Sequence, residues 1–146
     1  EGGKSVEYDS DGAVKLRSPK STSTATLTVG DSGTTIIATG GTPQTFTLPG
    51  PEGASGVFFN FVAASAQEHV IRLGSSTNQF NGFIIDFSNG AASSTNTATV
   101  ATTRLSNQGE ITLQNPTIGD NLQFVCDGSR WYVRGMLNDT PNIATI

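Results

Sequence analysis

Catalysis needs reactive side chains within reach of one another, and the 146 residues of this chain supply one histidine, His69, one cysteine, Cys126, and twelve acidic residues. A serine or cysteine nucleophile requires a histidine base at hydrogen-bond distance. Only His69 could serve, and it falls in phase with Ile71 and Leu73, as a strand-end or satisfied core residue does. Cys126 alternates in phase with Leu122 and Phe124 and behaves as a small buried apolar side chain. A lone cysteine also excludes an internal disulfide and a cysteine-built zinc site. No Gly-x-Ser-x-Gly elbow, P-loop or dinucleotide fingerprint occurs. Glycosidases need only two carboxylates set across a sugar, for which Glu68, Asp86, Glu110 and Asp120 are the candidates. Asp86 stands out because Phe83, Ile85 and Phe87 crowd its strand; a sheet-edge position, or pairing with Arg72 or Arg104, explains it better. Asp9-Ser10-Asp11-Gly12 looks like part of a calcium loop but lacks the later bidentate glutamate. We therefore expect no enzyme, with catalytic, cofactor and metal residues all none. Binding is the other route to function. Tyr132, beside Arg130 and Arg134, is the aromatic best placed to meet a sugar ring or a neighbouring subunit.

Strands must position these groups. Residues 119–135 read as a β-hairpin with Gly128-Ser129 as a two-residue loop, glycine first as a type II′ turn prefers. Cys126 then faces Trp131, Phe124 faces Val133 and Leu122 faces Gly135. Leu122, Phe124, Cys126, Trp131 and Val133 become core residues. The other face carries Gln123, Val125 and Asp127 opposite Arg134, Tyr132 and Arg130, so a charge pair flanks the turn. A one-residue slip would mix the faces, so pattern and turn chemistry select the same register.

Alternation starts at Thr24, with Ala25, Leu27 and Val29 on one face until Gly30-Asp31-Ser32-Gly33 turns the chain. Further strands are expected over 34–38, 44–48, 57–62, 69–73, 80–87, 97–103 and 110–114. Val57–Val62 and Phe80–Phe87 are apolar on both faces, with Gly82 as a bulge. Such strands need an opposing sheet on one side and a partner or arm on the other. About nine or ten short strands, with turns every eight to twelve residues or so, predict an all-β, single-domain β-sandwich or jelly roll of antiparallel strands. Residues 1–23 form an extended N-terminal arm ordered by contact with something else, 24–135 the sandwich domain and 136–146 a C-terminal tail.

Composition narrows the class further. Charged residues make up 14% of the chain, well under the usual quarter or so, and Thr, Ser, Gly and Asn fill the polar positions. Such surface suits strands and tight packing between subunits. Net charge is −4, and four of the eight basic residues (Lys4, Lys15, Arg17, Lys20) lie in the first twenty positions. No basic stripe with interleaved aromatics follows, so no nucleic-acid partner is expected. Neither a signal peptide nor a membrane-spanning apolar run is apparent, so no membrane is expected.

The order of short motifs carries a family resemblance. Thr28-Val29-Gly30-Asp31-Ser32-Gly33-Thr34-Thr35, Phe46-Thr47-Leu48-Pro49, Gly56-Val57-Phe58-Phe59-Asn60-Phe61, Gly119-Asp120 and Asp127-Gly128-Ser129-Arg130-Trp131-Tyr132-Val133-Arg134-Gly135 together resemble the small capsid decoration (cement) proteins of tailed bacteriophages. The likeness spans roughly residues 24–135. It implies a homotrimer on the outer capsid surface of the virion that bridges major capsid protein subunits and stabilises the shell against internal DNA pressure. The likeness carries over no contact residues and leaves both tails outside; from the residues themselves, Tyr8, Val14, Lys15, Leu16 and Arg17 of the arm are expected to contact the capsid, and Phe58, Val62, Phe83 and Tyr132 to line a subunit interface. The alternative is a receptor- or glycan-binding β-domain of a tail fibre or similar appendage. Tyr132 and the Ser/Thr/Asn-rich loop at 90–96 motivate it.

Overall fold

The computed structural model describes residues 6–8, 14–16, 19–75, 79–88 and 99–146, with backbone alone at 6–8, 14–16, 88 and 99–100. The acidic Asp9-to-Gly12 segment, Arg17 and the loop at 90–96 lie outside the described residues. Among those described, fourteen strands form: β1 (Val6–Tyr8), β2 (Val14–Leu16), β3 (Lys20–Thr22), β4 (Ala25–Thr26), β5 (Thr35–Ala38), β6 (Gln44–Leu48), β7 (Phe58–Ala63), β8 (His69–Leu73), β9 (Phe80–Ser88), β10 (Thr99–Gln108), β11 (Glu110–Leu113), β12 (Asn121–Cys126), β13 (Trp131–Leu137) and β14 (Asn142–Ala144). A seven-stranded sheet runs β10-β9-β13-β12-β7-β5-β3, and a five-stranded sheet runs β14-β11-β8-β6-β4. The fold is therefore all-β. β1 and β2 form a separate two-stranded antiparallel ribbon.

The sheets are mixed, which corrects the expectation of antiparallel strands. β3, β5 and β7 run parallel in one sheet, and β4, β6 and β8 run parallel in the other. The loops are the cause. A two-residue turn folds a strand back onto its neighbour, whereas a parallel pair needs a longer crossover. Residues 39–43 and 64–68 each carry the chain from the seven-stranded to the five-stranded sheet, and 49–57 carry it back. From β3 to β8 successive strands thus alternate between layers, and each of β5 to β8 pairs with the strand two before it. Successive strands pair antiparallel at β9–β10 and at β12–β13, where the tight turn at 127–130 joins them.

Both layers contribute to one core. Phe46 of β6 meets Phe61 of β7 edge-on at 5.3 Å between ring centroids, and Phe59 stacks on Trp131 at 5.7 Å. Every second residue of β6 and β12 is buried, as alternation requires. The closing hairpin pairs Cys126 with Trp131, Phe124 with Val133 and Leu122 with Gly135. Leu122, Phe124, Cys126, Trp131 and Val133 are all buried.

Several local expectations need correction. The strand over 24–29 shortens to β4, because the Thr28 backbone N–H and hydroxyl both donate to Asp31 Oδ2 (2.9 and 2.8 Å) and wind Val29–Asp31 into a 3₁₀ turn. Val29 is consequently exposed rather than aligned with buried Leu27. Gly82 is in register with both Leu105 and Val133 and is no bulge; the irregularity falls between Ser106 and Gln108, where Asn107 has φ 53°. Lys20–Thr22, read as arm, pairs with β5 in the large sheet. Residues 136–146, read as a tail, complete β13 and form β14 on β11. Ile143 packs against the core, which supplies the reason for that docking.

Candidate functional site

Paired residues on neighbouring strands point to the same side of a sheet, so register alone maps the outer face of the seven-stranded sheet into rows. One row reads Ser106, Asn81, Tyr132, Val125, Phe58. The next reads Arg104, Phe83, Arg134, Gln123, Asn60, Thr35. A third reads Thr102, Ile85, Met136, Asn121, Val62, Ile37. Phe83 is 53% exposed, Val125 and Met136 50%, Tyr132 46% and Phe58 40%, while Val62 is half-buried. Phe58, Val62, Phe83 and Tyr132, singled out from sequence, thus share one continuous face. Val125, Met136, Ile85 and Arg104 extend it. The alternation of Tyr132 and Arg134 points to Met136 once β13 is carried past Gly135. Arg104 had no such signal, because its strand runs five residues beyond the stretch that the pattern marks.

Shallow grooves of about 260, 400 and 530 Å³ cross this face, with Phe83 in the wall of each. Arg104 and Arg134 flank Phe83 on the two neighbouring strands. Arg134 Nε donates to Gln123 Oε1 at 2.7 Å. Aromatic rings and planar guanidinium groups together favour contact with apolar and anionic surface.

The turn beside this face is held by Asp127. Its Oδ1 accepts the backbone N–H groups of Ser129 and Arg130, both at 2.7 Å, and Oδ2 accepts the Tyr132 hydroxyl at 3.0 Å. The expected charge pair is therefore mainly a carboxylate capping its own turn. Those backbone bonds, that of Ser129 first, hold the Asp127 carboxyl below its ordinary 3.8. A depressed carboxyl stabilises the fold above its unfolded value and loses that contribution as pH falls through its folded value. Asp127→Asn keeps an acceptor for the turn, so it should flatten the part of the acid-unfolding profile below about pH 3.8 without dissolving the hairpin. Circular dichroism from pH 5 to 2 reads this directly.

Asp86 and Asp120 are each tied into the fold by hydrogen bonds, and Glu68 and Glu110 lie apart. Asp86 lies on the inner face, fully buried, and accepts hydroxyl bonds from Thr103 at 3.3 Å and Thr140 at 3.2 Å, not an arginine. Asp120 accepts the N–H groups of Thr117 (3.0 Å) and Asn138 (2.9 Å), and burial raises its pKa against them. It pins the loop before β12 to the end of β13. Glu68 and Glu110 belong to opposite ends of the β8–β11 ladder, since His69 pairs with Leu113 and Arg72 with Glu110. Four residues along a strand is about 13 Å, longer than the carboxylate spacings of either glycosidase class. Among the described residues no group of three or more His, Cys, Asp or Glu could hold a metal ion. Cys126 is buried, with burial raising its pKa, and its thiol lies 3.7 Å from the Pro51 carbonyl.

His69 is buried between Phe46 and Phe61, its Nε2 at 3.3 Å from the Ser65 carbonyl. Its Nδ1, the Gln44 amide and the Ser65 hydroxyl make no hydrogen bond. Burial pushes the imidazole below its ordinary 6.5, so the folded state keeps it neutral. The unfolded chain gains a proton first as pH falls below about 6.5, and stability declines from there toward the lower folded value. The melting temperature should therefore fall between pH 7 and pH 5, and His69→Phe should reduce that slope.

These observations define an all-β protein of two packed mixed sheets, the outer face of the larger one carrying exposed aromatic and aliphatic side chains interleaved with arginines and amides. No protein-family model, curated protein or solved structure matches the chain.

Proposed function

We propose that this chain is a structural virion protein, a capsid decoration protein that binds the outside of a phage capsid, bridges major capsid protein subunits and stabilises the shell. The observation that carries the reading is the outer face of the seven-stranded sheet, where Phe58, Phe83, Val125, Tyr132 and Met136 stand exposed together. Contiguous exposed apolar surface of this kind marks interaction sites. On this reading the chain is a homotrimeric β-sandwich, Phe58, Val62, Phe83 and Tyr132 face a neighbouring subunit, and Tyr8, Val14, Lys15, Leu16 and Arg17 of the arm contact the capsid. Three linked binding sites make the later contacts intramolecular, so modest patches hold firmly. No catalysis is required of it.

The test is co-sedimentation of the full-length chain with purified phage shells. Saturable binding in multiples of three copies supports the reading; a chain that stays in the supernatant overturns it. A second reading, a receptor- or glycan-binding domain of a tail fibre, is favoured by the groove of about 400 Å³ walled by Tyr132, Phe83 and Arg134. Its volume suits a small ligand. Glycan-array binding that disappears in Tyr132→Ala would establish it instead.

A further inference from the structure

Four buried polar atoms at one end of the sandwich, His69 Nδ1, Gln44 Oε1 and Nε2 and Ser65 Oγ, make no hydrogen bond. We infer that they form one internal binding site whose ligand is a single water molecule, held between the Gln44 amide and the His69 ring. Buried polar groups without a partner call for such an explanation, because each carries an unrepaid desolvation cost.

The topology brings these groups together. Residues 39–43 and 64–68 both cross from the seven-stranded to the five-stranded sheet, and the strands they join run parallel, so the two loops lie at the same end. Gln44 opens β6, His69 opens β8, and the two are partners in the parallel ladder. Both point into the core, at 2% and 0% exposure, and neighbouring strands stand about 4.8 Å apart. Their side chains are therefore neighbours. The Gln44 backbone N–H donates to the Glu68 carbonyl at 2.9 Å, and His69 Nε2 lies 3.3 Å from the Ser65 carbonyl, which holds the 64–68 loop over both residues. The Gln44 amide extends under the other loop, where a Cβ on Gly40 would collide with its Nε2. Neighbouring polar groups that do not bond directly are the setting in which water bridges.

Chemistry selects the ligand. A carbonyl only accepts, so Nε2 carries the imidazole proton, and in the neutral ring Nδ1 is a bare lone pair. Gln44 adds an acceptor and a two-proton donor, and Ser65 a hydroxyl that serves as either. A water molecule matches this set: it donates to His69 Nδ1, bonds the Gln44 amide through either end, and meets the Ser65 hydroxyl as donor or acceptor. About three such bonds are what a buried water makes. An ion does not fit. All three side chains are neutral, burial keeps the imidazole so, and the Phe46 and Phe61 rings stand edge-on to it at 6.2 and 5.6 Å, leaving a buried charge uncompensated. The site is independent of whatever binds the outer sheet face.

High-resolution crystallography of the unaltered full-length chain tests this. One ordered density peak is expected within hydrogen-bond distance of His69 Nδ1 and of Gln44 or Ser65. A site without density, or a direct Gln44–His69 bond in its place, overturns the inference. The sign of a substitution gives a second reading. Gln44→Met keeps the unbranched shape but removes one holder of the water, so the melting temperature should fall by about 2–4 °C. In a dry site the same change removes two unsatisfied buried atoms and leaves the melting temperature unchanged or raised, which also overturns the inference. Ser65→Ala deletes only a hydroxyl and keeps the comparison readable should Gln44→Met fail to fold: a fall supports the water, no change or a rise overturns it.

Discussion

Trp131→Ala is expected to cost about 3–5 kcal/mol of stability, a large share of what a domain of this size possesses. Three losses coincide at this position. The side chain is fully buried, its ring stacks on Phe59 at 5.7 Å, and its Nε1–H donates to the Pro49 carbonyl at 3.0 Å. Alanine removes the apolar contact, opens a cavity and strands that carbonyl without its donor. The carbonyl matters for the fold because Pro49 begins the loop that carries the chain from β6 in one sheet to β7 in the other. Trp131→Phe separates the terms. It retains much of the ring volume and should lose less, about 1–3 kcal/mol for the unpaired carbonyl. Urea unfolding followed by far-ultraviolet circular dichroism measures both, since the only tryptophan is gone from each variant. A loss under about 1 kcal/mol for alanine would mean that the core collapses around the site far better than buried aromatic positions do.

Gly82→Ala should be of similar severity although it adds one methyl group. Gly82 has φ 134°, and a Cβ there would stand 2.0 Å from the Val133 carbonyl oxygen on the neighbouring strand. No rotation of a side chain relieves that contact, because the obstacle is backbone. The strained conformation and the forced separation of β9 from β13 together cost about 2–6 kcal/mol. Gly128→Ala is the comparison. Its φ of 96° is also unfavourable, but its nearest neighbour is a side-chain carbon of Ser55 at 3.3 Å, in a turn that can give, so about 1–3 kcal/mol is expected. Equal effects at the two positions would show that dihedral strain, not the β9–β13 approach, is what glycine relieves at 82. The β9–β13 seam also sets the spacing of Phe83 and Arg134.

Much of the candidate face could be seen in the sequence, though not its extent. Phe58 and Phe83 drew attention because their strands are apolar on both sides, and Tyr132 because it shares a face with two arginines. That these residues adjoin follows from pairings between strands far apart in the chain: Val125 meets Phe58 across β12 and β7, and Arg134 meets Phe83 across β13 and β9. No local pattern encodes such neighbours. The carboxylates tell the opposite story. Asp86 lay among apolar residues in sequence, yet alternation turns it inward, away from Phe83, toward two threonine hydroxyls from other segments. The expected explanations, a sheet edge or an arginine partner, are replaced by an inward position beside Ile84 and two threonine hydroxyls.

By itself the sequence determined where the strands between 34 and 73 and the closing hairpin run, which side of the alternating ones is buried, and the register of that hairpin. Side-chain alternation and turn chemistry are local, and a slip of one residue would bury Gln123 and Arg134 in place of Phe124 and Val133. Only the tertiary structure decided which strands are neighbours and in which direction. Loops of five or more residues can fold back or cross to the opposite layer, and nothing in their composition distinguishes the two. Crossing wins here because the strands from β3 to β8 bury their apolar faces against the opposing sheet, as Phe46 does against Phe61. The same packing leaves Phe58, Phe83 and Tyr132 outside, on the face where a partner is expected.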